Sequence, residues 1–212
     1  NVRLRVMPVH TMGRWGGLPS VPRSTRAFLP RIDRVIAIAE AQREYLIREE
    51  GIPAGKIAVI RNGIPAELPD AARRSDLRQA LRRELGIDPA THVVAILAVL
   101  RPEKNHELLL DAIARIRNLL PNLVLLVIGD GPRRVELEAH ARRLGLETLV
   151  RFLGAVPGAA RLWPVADLAV LCSHPRVETL PLSLMEAMDA GVPTVATDVG
   201  ALAPDVRSAA DT

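Results

Sequence analysis

Two glutamates, Glu178 and Glu186, stand eight residues apart in the run HPRVETLPLSLMEAMDAGVPTVATDVG (174–200). Glu178 falls at the end of a loop. Glu186 falls inside a short helix that Gly191 stops, ahead of the buried-looking strand PTVAT. Two carboxylates at the mouth of a parallel-sheet crossover can accept hydrogen bonds from sugar and ribose hydroxyls, which points to a nucleotide-sugar site. Pro181 suits the first position of the helix. The backbone N–H groups of the run Thr179, Leu180, Pro181, Leu182 (proline itself has none) then face any bound diphosphate, which the helix dipole favours. Any surface helix can offer such a pair as a dipole-complementing acid and a solvated one. The apolar setting of Glu186, LSLMEAM, argues otherwise, because a buried acid needs a partner or a ligand.

Arg101 and Lys104 follow the apolar run VVAILAVL (93–100) in the segment LRPEKNHE. Ligands of open α/β sheets bind beyond the carboxyl ends of strands, and two cations there can neutralise a departing pyrophosphate. The competing reading is an ordinary polar loop. Lysine, however, occurs only at Lys56 and Lys104 in this arginine-dominated chain. GDGP (129–132) gives two glycines after a strand but lacks the third glycine of a dinucleotide fingerprint, so it reads as a turn. His10, at the end of the first strand beside glycines, can orient a substrate hydroxyl or phosphate, or can be a half-exposed structural histidine. His92, His106, His140 and His174 have no metal-ligand spacing, and Asp-x-Asp pairs are absent, so no metal site is expected. Cys172, the single cysteine, sits in LAVLC as a buried strand residue; it excludes a disulfide framework and is not read as a nucleophile.

The elements that must position these residues alternate from about residue 93 onward. Strands are expected at 93–100, 123–129, LVRFLG, LAVLC and PTVAT. Helices are expected at 106–120, from Pro132 to Gly145, and around Glu186. Strand–helix alternation with short links implies a parallel sheet with right-handed crossovers. Earlier in the chain, strands are expected at 3–10, 34–39 and 56–64, with a helix at 40–51. Residues 65–91 shift to a polar Pro/Ala/Arg-rich composition with one amphipathic helix, DLRQALRREL. The expected organisation is therefore 1–64 as the end of one α/β domain, 65–91 as a linker, and 92–212 as a second α/β domain.

At 212 residues, 49% hydrophobic and 25% charged, the chain is of globular type with room for one or two cores. Aromatics make up only 2%, too few for a stacking-based single-strand binder, so no nucleic-acid partner is expected. The +4 net charge is mostly arginine and says little about partners. One excess is local: Arg3, Arg5, Arg14, Arg23, Arg26, Arg31 and Arg34 face the single acid Asp33. That run is either a solvated face or a surface drawn to an anionic membrane or acidic acceptor. No apolar stretch reaches the about 18–20 residues of a membrane span.

Taken in order, DRVIAIAEAQREYL with KIAVIRNGI, LRPEKNHELLLDAI, LVLLVIGDGPRRVELE through RFLGAV, and ETLPLSLMEAMDAGVPTVATDVG resemble the family 4 glycosyltransferases. These are retaining enzymes of the GT-B fold, two Rossmann-like domains. The last two segments are the specific ones. The resemblance implies that Lys104 contacts donor phosphates, with Arg101 substituting for a family arginine where this chain has Ala98 and Val99. It implies that Glu186 binds ribose and Glu178 the donor sugar, with 179–182 facing sugar and diphosphate. His10 takes the place of a first-domain histidine near the anomeric centre, so His10 and Glu178 are the catalytic candidates. The implied reaction uses a nucleotide-diphosphate sugar as donor substrate and no cofactor or essential metal. A glycan, lipid or small molecule accepts the sugar, in the cytoplasm or at the inner face of its membrane. Departures from the family pattern are Thr179 for a glycine, Gly200-Ala201 for a glycine pair, and an acid displaced to Asp205. The chain reads as a fragment lacking most of the acceptor-side domain and the C-terminal tail, and is expected to be inactive alone because both halves of the cleft enclose the donor. The rival expectations are a GT-B epimerase or phosphorylase, a Rossmann oxidoreductase using GDGP, and a binding module without turnover.

Overall fold

The computed structural model describes residues 4–10, 21–64, 71–174 and 178–199. Arg3, Arg14, Gly200, Ala201 and Asp205 lie outside the described residues. Internal packing separates two units, one built on the chain through Gly63 and one on Ile64–Ser173 with Leu182–Thr197; His174 and residues 178–181 group with the first.

In the first unit, β1 (Val6–Pro8), β2 (Arg34–Ala37) and β3 (Ile57–Val59) form a parallel sheet in that order. A single helical turn, α1 (Arg23–Arg26), and the helix α2 (Glu40–Arg48) complete it. Val35, Ala37, Leu46, Ile52 and Ile57 make its core. Lys56 is structural: its ammonium donates to the carbonyls of Leu29 at 3.0 Å and Ile32 at 2.8 Å, closing the turn before β2. Arg26 pairs with the buried Glu50, and Arg5 and Arg34 donate to the carbonyls of Arg31 and Asp33. Part of the N-terminal basic run is thus spent on local structure.

The second unit holds a parallel sheet of β4 (His92–Leu97), β5 (Leu123–Ile128), β6 (Val150–Gly154), β7 (Leu168–Leu171) and β8 (Thr194–Ala196). The strand order is β6-β5-β4-β7-β8. Period-two alternation sends its strands into two cores. Val94, Ile96, Leu125 and Val127 pack with α4 (His106–Ile116) and α5 (Arg134–Arg143). Val93, Ala95, Leu126 and Ile128 pack with α3 (Ala71–Glu84), the 3₁₀ segment Ala159–Val165 and α6 (Leu182–Asp189). Burial on both faces explains why these strands read as continuous apolar runs. Each fully buried Leu or Ile here contributes about 2 kcal/mol.

The amphipathic helix expected within 65–91 is α3. Leu77, Leu81 and Leu85 pack into the second core. Arg78 donates to the carbonyls of Pro164 at 2.9 Å and Ala166 at 2.8 Å and pairs with Asp167. Arg82, almost fully buried, donates to Thr91 O at 3.0 Å and to Asp167 at 2.9 Å. Asp167 also accepts the Val93 N–H at 2.7 Å. Burial pushes the Asp167 carboxyl up, but the Val93 N–H and the two guanidiniums outweigh it and hold it below the usual carboxylate range.

Candidate functional site

β4 lies between β5 and β7, so the chain leaves it toward β5 and β6 and returns on its other side to β7 and β8. That reversal opens a crevice at the carboxyl ends of β4 and β7, where open α/β sheets bind ligands. The loop after β4 forms one side of it. Ala98 N–H donates to Ile128 O and Leu100 N–H to Asp130 O, both at 3.0 Å, and Arg133 N–H returns to Leu100 O at 3.0 Å. The 98–100 and 129–133 segments are thereby locked backbone to backbone. A Cβ at Gly129 would lie 2.1 Å from Ala98 O, and one at Gly131 would lie 2.6 Å from Leu100 O. The glycines of GDGP serve this internal approach, which counts against their use as a dinucleotide fingerprint.

This lock holds the cation-bearing turn. Arg101 leads into the 3₁₀ turn Pro102–Lys104, and Asn105 then takes a left-handed conformation (φ 49°) before α4 begins. Asparagine is one of the few side chains that accept this region. Lys104 is half-buried. The Arg101 side chain is 59% exposed and only loosely paired, 3.9 Å from Glu103. Arg133, to which its sequence setting gives no pointer, pairs with Glu107 and Glu136 and anchors the first turn of α4.

His106 is a second residue that the sequence pattern does not single out. It opens α4, is 2% exposed, and neither ring nitrogen has a hydrogen-bond partner among the described residues. Burial pushes its pKa down to about 4, against the pull of Glu107 and with help from Lys104 and Arg133. Its only sequence signal is its place at the first helical position after a strand-end loop.

After β7, α6 starts at Leu182, one residue after the expected Pro181, within the usual uncertainty of helix ends. Glu186 lies half-buried on this helix. Burial raises its pKa, and the nearby Trp163 indole opposes that rise. Trp163 Nε1 is itself buried and makes no hydrogen bond of standard geometry, so its influence is that of a close dipole, not a formed bond. The apolar surroundings expected for Glu186 are therefore present, and Trp163 is the neighbour that sequence alone did not indicate.

Residues 178–181 group with the first unit. Glu178 and Pro181 are buried, Leu180 is half-buried and Leu182 is exposed. Thr179 is 1% exposed, and its hydroxyl has no partner among the described residues. In the first unit, His10 is exposed just beyond β1. The turn into it is held by the buried Gln42, whose amide donates to Val9 O at 2.9 Å and accepts from Ile38 N–H at 2.7 Å. Cys172 is buried, and burial pushes its thiol up to about 11, which removes it as a nucleophile at neutral pH. No helix among the described residues is long and apolar enough to cross a membrane.

The family described as Glycosyl transferases group 1 matches residues 78–210, and Glycosyltransferase Family 4 matches residues 5–68. A D-inositol 3-phosphate glycosyltransferase of Segniliparus rotundus is 33% identical over 176 residues, covering 80% of this chain and 38% of that protein. The D-inositol 3-phosphate glycosyltransferase 2 of Catenulispora acidiphila is 33% identical over 186 residues, covering 82% and 42%. Among solved structures, Anabaena Alr3699/HepE in complex with UDP and glucose superposes with a TM-score of 0.81 at 27% identity, covering 95% of this chain and 55% of that one. The chain thus spans about two fifths of these curated relatives and about half of this solved relative.

Proposed function

The chain belongs to the group 1 glycosyl transferases, on the GT-B fold, and from that premise we propose that it is part of a retaining enzyme moving a sugar from a UDP-sugar to an acceptor. The observation that carries the reading is the switch-point crevice of the second unit. The loop after β4 carries the cationic Arg101–Lys104 turn, and α6, which follows β7, carries the half-buried Glu186. Lys104 and Arg101 neutralise the diphosphate as the glycosidic bond breaks, an electrostatic contribution to the transition state. Glu186 accepts hydrogen bonds from ribose hydroxyls. Glu178 holds the donor sugar, and Thr179, Leu180, Pro181 and Leu182 line the sugar and diphosphate, with backbone N–H groups as donors. On the family resemblance, His10 is assigned a role at the anomeric carbon. The acceptor oxygen attacks from the face the diphosphate leaves, and the departing phosphate oxygen takes its proton. The anomeric configuration is thus retained without a protein nucleophile or a metal.

The acceptor is a glycan, lipid or small molecule. The exposed Arg31 and Arg34 favour an anionic or lipid-linked one at the inner face of the cytoplasmic membrane. Binding to vesicles that ignored their anionic lipid content would remove that part of the reading.

Calorimetric titration with UDP, GDP and ADP tests the donor site. UDP is expected to bind, and to bind more weakly in both Lys104→Ala and Glu186→Ala. Binding of none of the three nucleotides, or UDP affinity unchanged in both variants, overturns the reading.

A further inference from the structure

A second cavity lies within the second unit, toward the amino ends of β7 and β8 and away from the switch-point crevice. Its volume is about 380 Å³, within the range of small-molecule pockets. Arg74, Ser75 and Arg78 of α3 line one side, and Pro164 and Ala166 form the floor. The turn between α6 and β8, with Gly191 and Val192, closes the other side.

The two arginines differ. Arg78 is neutralised by Asp167, and its Nη1 donates to the carbonyls of Pro164, Val165 and Ala166. Arg74 is half-buried and makes no ion pair or hydrogen bond among the described residues. It is the only partly buried described arginine of this unit in that condition. No carboxylate lines the cavity. The opposite wall is shaped to admit the guanidinium: Gly191 is left-handed (φ 72°), and a Cβ there would lie 2.7 Å from Arg74 Nη1. The N–H groups of Ala190, Gly191 and Val192 are spent on Glu186 O, Met188 O and Ala187 O, so that wall adds no backbone donors and an anion's partner is the Arg74 guanidinium. Among the described lining side chains, Arg74 is the cation without a protein partner.

We propose that this cavity is an oxyanion site, in which Arg74 grips a phosphate monoester or carboxylate in bidentate fashion while the sugar-sized body of the ligand rests on Pro164, Ala166 and Val192. A planar guanidinium matches a two-oxygen anion face, and a half-buried setting strengthens the pair over a solvated one. The site is separate from the donor crevice and does not depend on the donor reading.

Titration calorimetry at constant ionic strength, with glucose 6-phosphate, inorganic phosphate and acetate as separate probes, tests it. At least one phosphate probe or acetate is expected to bind saturably. Arg74→Gln is expected to weaken that binding about tenfold or more, as loss of a charge-assisted hydrogen bond requires. Binding is expected to persist in Lys104→Ala, and UDP binding to persist in Arg74→Gln. Absence of saturable binding by all three probes, or binding unchanged in Arg74→Gln, overturns the site. Loss of binding in Lys104→Ala alone would place the anion in the donor crevice and also overturn it.

Discussion

The two ends of the second unit's sheet both carry arginines, and they use them differently. At the amino end, Arg78 and Arg82 converge on Asp167 and on a ring of backbone carbonyls that includes those of Val165 and Thr91. Each of these side chains is spent on tying α3 to the strand ends. At the carboxyl end, Arg101 is mostly exposed with one loose ion pair, His106 has no hydrogen-bond partner among the described residues, and Glu186 is pushed toward its neutral form by burial. The lesson is to locate function by unmet demand. A charge whose partners are all protein groups is structural, and a partly buried polar group that lacks them is waiting for something else. Arg74 is the exception at the amino end, and its lack of partners among the described residues is what marks the cavity beside it.

The comparison can be broken at either end. The largest effect is expected at the carboxyl end from Gly129→Ala. Its Cβ would lie 2.1 Å from Ala98 O at a φ of 134°, so the loop lock must open. Steric and backbone strain together are expected to cost about 4 kcal/mol, measured by urea unfolding. A loss below about 1 kcal/mol would mean the two loops are not locked as described.

At the amino end, Asp167→Ala leaves Arg82 almost buried without its carboxylate and removes the Val93 acceptor. A loss of about 3 kcal/mol is expected, discounted for the partial exposure of Asp167. UDP affinity should hardly change, since the clamp is structural. If affinity fell while stability held, the division between the two ends would be wrong.

His106 gives a pH signature of intermediate size. Its folded pKa of about 4 lies below the ordinary histidine value of 6.5, so the unfolded chain takes up the proton first. The protein therefore keeps full stability above pH 6.5 and loses it as pH falls from there toward 4. The loss from this group should reach about 2 kcal/mol at pH 5. His106→Leu should flatten that part of the stability–pH curve, which denaturant melts at several pH values can read. An unchanged slope in the variant would assign the pH dependence elsewhere.

The smallest expected effect is that of Lys104→Ala: UDP affinity about tenfold weaker, or about 1.4 kcal/mol, with folding stability nearly unaltered. That contrast with Asp167→Ala sharpens the distinction between a cation beside the crevice and a buried clamp.

Much of this was legible in the chain. The apolar runs that became β4, β5 and β7 identified themselves, because a strand buried on both faces must be apolar throughout. Lys104 and Glu186 are donor-site candidates on residue type, sequence setting and rarity. Trp163, His106 and Gln42 were not legible in that way, because their roles arise from contacts or burial distant from local sequence pattern. Trp163 sits in a 3₁₀ segment that carries no helical period, and it reaches Glu186 only through the packing of that segment on α6. The amphipathic pattern of DLRQALRREL identified a helix but not its place, which the arginine clamp on Asp167 decides.

By itself the sequence determined the α/β class, the strand–helix alternation, and the family, because these follow from periodicity and from motifs local along the chain. Only the tertiary structure decided which cations serve the scaffold and which stand beside the crevice. The two lysines show this: Lys56 is absorbed by carbonyls of the turn before β2, while Lys104 ends the 3₁₀ turn at the carboxyl end of β4. Nothing in either residue's type separates them. The difference lies in where the fold carries each residue, beside the carbonyls of a distant turn or into the turn after β4, and such long-range placement is set only when the chain has folded.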